Sequence, residues 1–468
     1  MLNVIQKNHL ILIGTQTANA ALTSKTSSIL GNAPYFILSD RTTTLKDSTE
    51  LLGFTMPIKN SLSADIEITQ INSTVSSTAI VAIAGMKFSD VTPLVKANNY
   101  TYQLSQTDLL IDDQDGDASA NNSTFSQGTL RGVWFNQKGT IIDDLEQPLS
   151  ACESPYTLFL IANNVSANTT YGNPAINNYG SGTVMYTFKV AKPEVCYLKP
   201  LDLTVLTTGT TLPGGFNANV FDTTKGFIIS GLKKNNKQFP TTGFKGVEFT
   251  LLGAGDDQSK YRCSVENGAS ELNLSGSGTA YEGLNCTIRY EKNTRFNYDI
   301  TINMEYNDGS SWSKIGSYTI PKPTLWTFMI QELPYANQNT LSQATSFPAL
   351  TSCSGQNVTS INDDIYKNRL QYMFRRNEIT NSLGSDPIAY PEGTSPTVVN
   401  SQYSRDADGT FMGEWGGIYK YDYSSGNQLM FYWTAESYSD LSQFEISTTG
   451  SIYPTSASSN YVMSMCRG

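Results

Sequence analysis

Six cysteines constrain the fold of this chain more than any other feature. They are Cys152, Cys196, Cys263, Cys286, Cys353 and Cys466. No two of them have the C-x-x-C spacing of redox or zinc sites, and an even number spread in this way is typical of disulfides in an exported protein. Fifteen pairings are formally possible, and the sequential one is the simplest because it gives one pair to each of three compositional stretches. Six buried thiols in a cytosolic protein are the alternative.

Short apolar runs separated by polar turns predict a mainly β protein. Charged residues make up only 15% of the 468 residues, while Ser, Thr, Asn, Gly and Tyr, which suit strand surfaces and turns, are abundant. Runs such as 79–84, 130–135 and 156–162 are typical of a β-sandwich. After a signal-like segment, residues 1–20, we therefore expect an N-terminal β-sandwich domain over residues 21–200.

A second domain is predicted over residues 201–324. A Thr-, Gly- and Pro-rich linker, residues 207–215, precedes further strand-like runs, including 247–252 and 300–306. The sequence Pro321-Lys322-Pro323 ends the last run, because consecutive prolines cannot continue a central strand. This pattern indicates an immunoglobulin-like sandwich.

The third predicted domain, residues 325–468, carries the clearest helical pattern. Tyr366, Leu370, Met373 and Phe374 recur at helical spacing. They predict one helix over residues 362–379, whose basic side chains we interpret as a solvated face.

Residue counts exclude several function classes. The one histidine, His9, lies in the leader-like segment, so no imidazole is expected in the folded body for a Ser-His-Asp or Cys-His mechanism or a histidine-ligated metal. The formal net charge of -10 opposes binding of nucleic acid or anionic membrane through a broad basic face. Carboxylate chemistry, lysine chemistry or no chemistry at all remains.

The first 20 residues resemble a degenerate secretory signal. Lys7 precedes a short apolar run, Leu10–Ile13, and Ala18-Asn19-Ala20 matches a cleavage site. The apolar run is shorter than that of an ordinary signal peptide. No run approaches the roughly 20 apolar residues of a membrane span, so the sequence predicts an exported protein without a transmembrane segment.

One acidic loop is a candidate calcium site. Asp113, Asp115 and Asp117 alternate, which places several hard oxygen ligands close together. With Asp113 at position 1, an EF-hand would need glycine and glutamate where Ala118 and Thr124 stand. We therefore predict no metal and no cofactor, with calcium at this loop as the alternative.

Carboxylates beside tryptophans leave a catalytic hypothesis open. Glu414 with Asp408, or Glu436 with Asp440, would suit a glycosidase if their separation were right. The competing interpretation is that these acids are ordinary residues of a β surface, and it predicts no enzyme activity.

Aromatic residues near the C-terminus are candidate contacts for a partner protein. Trp433 lies in an apolar run and is expected in the core, whereas Trp415, between glycines, is expected to be partly exposed. Tyr419, Tyr421 and Tyr423 alternate and should face one side, where they either pack or bind. Trp415, Tyr419 and Tyr421 are the predicted partner-binding residues.

The order of motifs in this region resembles a known family. Between Cys353 and Cys466 lie Gly413-Glu414-Trp415-Gly416, Tyr432-Trp433-Thr434-Ala435-Glu436 and a final Tyr461-Val462-Met463-Ser464-Met465-Cys466. This arrangement resembles the C-type-lectin-like tip of intimin and invasin adhesins. The resemblance implies a mainly β protein in which two immunoglobulin-like β-sandwich domains are followed by an α+β C-type-lectin-like domain.

A second run, Phe244–Leu251, is similar to the sandwich domains of autotransporter-associated exoproteins. The two resemblances imply a secreted or surface-displayed adhesin-like protein that binds a host-cell or bacterial surface protein, with a separate intimin-like outer-membrane barrel for export or display. The Glu-Pro-Asn loop and Trp-Asn-Asp strand of calcium-dependent lectins are absent, and Cys353 is not followed by the acidic residue that invasins use on integrins. A secreted carbohydrate-binding or carbohydrate-active protein is the alternative.

Overall fold

The structure is a computed structural model that describes residues 31–37, 44–59, 66–71, 79–95, 102–104, 110–114, 124–170, 172–190, 193–206, 214–254, 257–274, 286–330, 348–394, 401–421, 431–439, 442–456 and 462–468. The predicted signal-like segment, with His9, lies outside these ranges. Within them, no helix combines the length and apolar character needed to cross a membrane.

The described chain is mainly β, as the sequence predicted, and divides into two compact units. The first unit comprises residues 1–148 and 155–189, and the second comprises residues 149–154 and 190–468. Most strand pairs are antiparallel.

Ten strands are described in the first unit. They are β1 (Tyr35–Ile37), β2 (Phe54–Lys59), β3 (Ile66–Ile71), β4 (Ile80–Ala82), β5 (Thr92–Pro93), β6 (Tyr102–Gln103), β7 (Leu110–Asp112), β8 (Thr124–Phe135), β9 (Tyr156–Thr169) and β10 (Ile176–Val190). Their sheets have the orders β4-β10-β9-β8-β6, β3-β2-β5 and β1-β7. Short 3-10 helices lie at Ser48–Leu51 and Phe88–Asp90.

The core of the first unit is aromatic. In β9, buried and partly buried residues alternate over the first half, the pattern of a strand with one covered face. Phe54 packs edge-on against Tyr186 at 4.7 Å between ring centroids, and the Tyr186 hydroxyl donates to the Leu52 carbonyl at 2.7 Å. Trp134 and Phe188 extend the cluster. Burial with a satisfied hydroxyl is the favourable arrangement for such side chains.

Seventeen further strands are described in the second unit. They are β11 (Val195–Pro200), β12 (Gly215–Phe216), β13 (Phe221–Asp222), β14 (Gly226–Ile228), β15 (Thr242–Gly243), β16 (Glu248–Gly253), β17 (Tyr261–Val265), β18 (Leu272–Leu274), β19 (Thr287–Tyr290), β20 (Ile300–Asn307), β21 (Trp312–Ile320), β22 (Leu325–Ile330), β23 (Ser404–Arg405), β24 (Phe431–Ser439), β25 (Ser442–Ser447), β26 (Ile452–Ser456) and β27 (Val462–Arg467). Their sheets run β13-β14-β11-β16-β19-β18, β17-β20-β21, β15-β22-β27-β24-β25-β26 and β12-β23.

Helices in the second unit are short. The α-helices are α1 (Ile229–Lys234), α2 (Pro348–Ser354), α3 (Asp364–Lys367), α4 (Arg376–Ile379) and α5 (Phe411–Trp415). The 3-10 turns are Ala151–Glu153, Gln258–Lys260, Ala269–Glu271, Arg369–Gln371, Leu383–Ser385 and Ile418–Lys420.

The helix predicted over residues 362–379 is wrong in its extent. The region contains α3, one 3-10 turn and α4 instead. Arg375 is extended, with φ -75° and ψ 160°, and Met373 forms a β-bridge with Cys466. Pairing with the last strand therefore replaces helical hydrogen bonds in the middle of the predicted helix. Tertiary contacts have overridden a local pattern.

One core cluster runs through both predicted C-terminal domains, on either side of the boundary at 324/325. It includes Phe239 and Phe249 from the first of these and Trp415 and Tyr432 from the second. Two parallel strand pairs, β15 with β22 and β12 with β23, also cross that boundary. The boundary itself remains a prediction.

Three disulfides close the fold. Cys152 is bonded to Cys196, Cys263 to Cys286 and Cys353 to Cys466, with Cα–Cα distances of 5.3, 5.1 and 5.2 Å. These are the three pairs that the sequential assignment predicts. The Cys353–Cys466 bond ties α2 to β27.

Candidate partner-binding loop

Trp415 does not lie where the sequence predicted it. It ends α5 with 0% of its surface exposed, and its ring centroid is 4.9 Å from that of Phe239. The indole Nε1 donates to Thr242 Oγ1 at 2.9 Å. The following Gly416 has φ +75°, and a Cβ there would come within 2.0 Å of an Arg405 nitrogen. The flanking glycine thus leaves room for Arg405 next to the backbone, and the buried Trp415 is a core residue and not a surface contact.

The tyrosines of the predicted contact row also fail to form one surface. Tyr421 is buried, and its hydroxyl accepts from the Asp202 N–H at 3.2 Å and donates to the Trp415 carbonyl at 3.0 Å. Tyr419 is half-buried, and Tyr423 lies outside the described residues. Trp433 is 2% exposed, in the core as expected.

Glu414 is committed to a structural role. Its carboxylate accepts hydrogen bonds from the Thr241 N–H and hydroxyl, at 3.0 and 2.6 Å, and from the Thr242 N–H and hydroxyl, at 2.9 and 2.7 Å. Burial raises its pKa to about 7, although these hydrogen bonds act in the opposite direction. Either threonine hydroxyl can turn to accept the carboxyl proton. Glu414 is therefore satisfied in both charge states within the core.

The other candidate carboxylates are likewise engaged. Asp408 accepts from Asn381 at 2.5 Å and from the Thr410 hydroxyl at 2.8 Å. Glu436 is 6% exposed and accepts from Arg376 Nε at 2.9 Å. Asp440 lies outside the described residues. These contacts give the acids structural partners and supply no support for a glycosidase pair.

The candidate calcium loop is described only in part. Asp113 follows β7 and is buried, with its N–H bonded to Asp112 Oδ1 at 2.9 Å. Asp115 and Asp117 lie outside the described residues. The calcium alternative stays a prediction.

A different segment of the second unit exposes apolar side chains. We call residues 383–392 the 383–392 loop. Ile388 is 87% exposed and Leu383 is 43% exposed, and Ala389 between Ile388 and Tyr390 is also exposed. Ile388 is the most exposed of the large apolar residues described in the chain. Contact of these side chains with another molecule would remove apolar surface from water, which is favourable.

Arg376, the first residue of α4, binds the backbone of the 383–392 loop on its buried side. It is completely buried, and its Nη1 and Nη2 donate to the carbonyls of Gly384 and Tyr390 at 3.3 and 2.5 Å. Glu436 neutralises it, and its guanidinium lies 4.2 Å from the Phe444 ring centroid. A buried arginine with this many partners has little freedom to move, so the two carbonyls are held in place.

A second arginine fixes the end of the loop. Arg369 Nη2 donates to both carboxylate oxygens of Glu392, at 2.6 and 2.7 Å, and Glu392 also accepts from the Ser437 N–H at 2.7 Å. Arg369 is itself held by its Nε, which donates to the Ala435 carbonyl at 2.6 Å. The loop therefore ends on β24 at a defined position.

The tip of the loop is ordered by Asp386. Its side chain accepts from the Ile388 N–H at 2.8 Å, and its carbonyl accepts from the Tyr390 N–H at 2.9 Å. Pro387 fixes one further backbone angle. Because the loop is held at both ends and at its tip, it loses little conformational entropy when a partner docks, which favours binding.

One signal in the sequence marks this loop, and none marks its exposure. Asp386-Pro387 indicates a turn. The single isoleucine after it looks like an ordinary core residue. Its exposure depends on Arg376 and Arg369 drawing the loop backbone inward while the side chain stays outside, and only tertiary structure reveals that arrangement.

No protein-family model and no curated protein matches the chain. Among solved structures, a C-terminal 282-residue fragment of intimin, in complex with the intimin-binding domain of the translocated intimin receptor, is 13% identical over 80% of this chain and 97% of the fragment, with a TM-score of 0.27. Mouse protocadherin-24 EC1-3 is 12% identical over 63% of this chain and 90% of that one, with a TM-score of 0.16. TM-scores this low support no statement about the function of this chain.

Proposed function

We propose that this chain is an exported, adhesin-like binding protein without catalytic activity, and that its C-terminal region contacts a partner protein through the 383–392 loop. The observation that carries the proposal is Ile388, 87% exposed on a loop that two arginines hold in place. A rigid apolar knob of this kind suits a complementary pocket on a protein. The resemblance to intimin and invasin tips in the last quarter of the sequence agrees with it.

Two further observations support a binding role over a catalytic one. Glu414 and Glu436, the acids proposed for a glycosidase, have their oxygens bonded to Thr241, Thr242 and Arg376 in the core. Three disulfides suit an oxidising compartment outside the cytosol. Release into the medium and display through a separate outer-membrane barrel are both compatible with this proposal.

The test compares three forms of the full chain in binding to cultured host cells and to outer-membrane extracts. Ile388→Lys should reduce saturable binding at least about tenfold, because it places a charge at the centre of an apolar contact. Ile361→Lys is the matched control, since Ile361 is 37% exposed in the same unit and lies outside the loop. It should bind as the unmodified chain does.

Pretreatment of the cells separates protein from sugar recognition. Protease should abolish binding, whereas glycosidases and a chelator should leave it unchanged. Loss of binding after glycosidase treatment would favour the carbohydrate-binding alternative. Equal binding by the Ile388→Lys and Ile361→Lys variants would move the contact away from the loop.

A further inference from the structure

A groove in the second unit has the edge strand β21 as one of its walls. Its volume is about 700 Å³, within the range of known ligand pockets. β21 lines it over residues 315–319, and α1 lines it together with residues 236–238. Val195 of β11 and Leu232 of α1 contribute apolar surface. All of these residues belong to the second unit, so the groove lies within one compact part of the molecule.

The pairing of β20 shows which backbone groups β21 turns outward. The Thr301 carbonyl accepts from the Glu266 N–H at 2.8 Å, so Thr301 faces the side of β17. Because backbone groups alternate along an antiparallel strand, Ile302 faces β21, where Tyr318 lies opposite it. Tyr318 therefore bonds to β20, and its two neighbours in β21 direct their N–H and C=O groups to the outer edge.

These two neighbours, Ser317 and Thr319, are exposed and line the groove. The chain is described without a gap over residues 286–330, and in this part of the structure their outward backbone groups form no hydrogen bond. A bulge at Ile315 precedes this open edge, and Pro321 follows it. The edge is therefore too short for extensive sheet growth and long enough for a short strand.

Charge around the groove favours an acidic partner. Lys237 is paired with Asp406 at 2.5 Å, and Glu194, the one carboxylate of the lining, accepts from the Ser150 hydroxyl at 2.7 Å. Three exposed lysines that have no ion pair with a described residue line the groove or adjoin its lining in the sequence, namely Lys233, Lys234 and Lys314. The local charge is therefore positive in a chain whose formal net charge is -10, and a carboxylate is complementary to it.

We propose that this groove binds an acidic, extended segment of a partner protein as an added antiparallel strand on β21. One residue of the segment exchanges two hydrogen bonds with Ser317 and another exchanges two with Thr319. The residue between them lies opposite Tyr318, whose side chain points to the core and donates to the Phe239 carbonyl. That residue should be apolar, and the two beside it, on the exposed face, should be acidic or polar.

A second copy of this chain is the less suitable occupant. Antiparallel pairing of two β21 strands centred on Tyr318 would bring the Lys314 end of one copy to the Lys322 end of the other. Like charges that face each other across a strand pair are destabilising.

Titration calorimetry of the full chain tests the proposal with a synthetic probe. The probe is a capped seven-residue peptide in which aspartate and valine alternate, and it should bind saturably at one site. The same peptide with lysine in place of aspartate should bind at least about tenfold more weakly, because its charge has the wrong sign.

Methylation of the probe backbone tests the register. With the valines directed inward, the aspartate N–H groups bond to β21 and the valine N–H groups point away. Methylation of the aspartate nitrogens should weaken binding by roughly tenfold or more, whereas methylation of the valine nitrogens should leave it unchanged.

Variants of the chain test the same edge. Ser317→Pro removes an outward N–H and leaves the bonds to β20, so it should weaken binding of the aspartate probe by roughly tenfold or more. Ser317→Ala keeps that N–H and is the matched control. Lys233→Glu should also weaken binding, whereas Lys260→Glu, on an exposed lysine of the same unit outside the groove lining, should not.

Absence of saturable binding by the aspartate probe would overturn the proposal, as would equal binding by the aspartate and lysine probes. Equal effects of Ser317→Pro and Ser317→Ala would place the probe elsewhere. Sedimentation at twice the mass of 51.2 kDa, abolished by Ser317→Pro, would make a second copy the occupant instead. Circular dichroism checks that each variant is folded. Ile388→Lys should bind the probe normally, so this test and that of the proposed function can fail separately.

Discussion

The segment around Trp415 and the 383–392 loop belong to the same unit and carry opposite roles. The first has a tryptophan between glycines, the pattern of an exposed contact, yet its ring is completely buried. The second has an isolated isoleucine, the pattern of a core residue, yet Ile388 is 87% exposed.

The difference is explained by which group supplies the polar contacts. At Trp415 the indole and the preceding Glu414 bond directly to Thr241 and Thr242, which draws both side chains inward. In the loop it is the backbone that bonds to Arg376, so the Ile388 side chain stays outside. Residue type alone does not decide exposure in either place.

The largest expected effect separates the two segments by stability. Trp415→Ala should lower the free energy of unfolding by about 3–5 kcal/mol, because it empties a packed core site. Ile388→Ala should change it by less than about 0.5 kcal/mol, because it removes an exposed side chain. Denaturant titrations of both variants measure this. Similar losses would mean that the segments do not differ.

Removing the Cys353–Cys466 bond tests whether the core around Trp415 is shared. Replacing both cysteines, Cys353→Ser with Cys466→Ser, should lower the free energy of unfolding by about 2–5 kcal/mol. Since the core cluster crosses residue 324, the transition of residues 201–468 should shift as a whole in calorimetry. A separate, unshifted transition for residues 201–324 would instead establish the domain boundary that the sequence predicted.

Glu414→Gln should lower the free energy of unfolding by about 1–3 kcal/mol, because the new amide directs its N–H groups at the N–H and hydroxyl donors of the two threonines.

The ionisation of Glu414 also makes stability depend on pH, and the sign of this dependence is definite. The folded pKa, about 7, lies above the ordinary value of 4.5, so the folded state holds the proton more tightly. The protonated carboxyl therefore contributes up to about 3 kcal/mol to the free energy of unfolding below pH 4.5, and this contribution is lost as pH rises through 7. The free energy of unfolding of the Glu414→Gln variant, measured by denaturant titration at several pH values, should lack this pH dependence. An unchanged pH dependence would show that another group causes it.

The smallest expected change in the free energy of unfolding concerns the contact between Arg369 and the end of the 383–392 loop. Arg369→Lys should cost about 1 kcal/mol or less, because the Arg369–Glu392 pair is partly exposed. Lysine cannot reproduce the contact with both Glu392 oxygens. The backbone amides of Ile388 and Tyr390 should therefore exchange hydrogen faster than in the unmodified chain. Exchange at an unchanged rate would show that Arg376 and Asp386 order the loop without Arg369.

The sequence predicted those features that local pattern determines. Alternating apolar runs, such as that of β9, indicated strands, and nearest-neighbour pairing indicated the three disulfides. Features that depend on distant residues were missed. Trp415 is covered by Thr242, which lies 173 positions away in the sequence, and the predicted helix is interrupted by pairing of Met373 with Cys466. No local window contains these contacts.

The way in which Arg376 grips the loop has a consequence for how the protein can change over time. It holds the carbonyls of Gly384 and Tyr390, groups that every amino acid possesses. Side chains at positions 387–389 can thus be exchanged without loosening the support beneath them. The proposed contact surface can therefore be varied at these few positions, and foreign peptides can be grafted there on an unchanged scaffold.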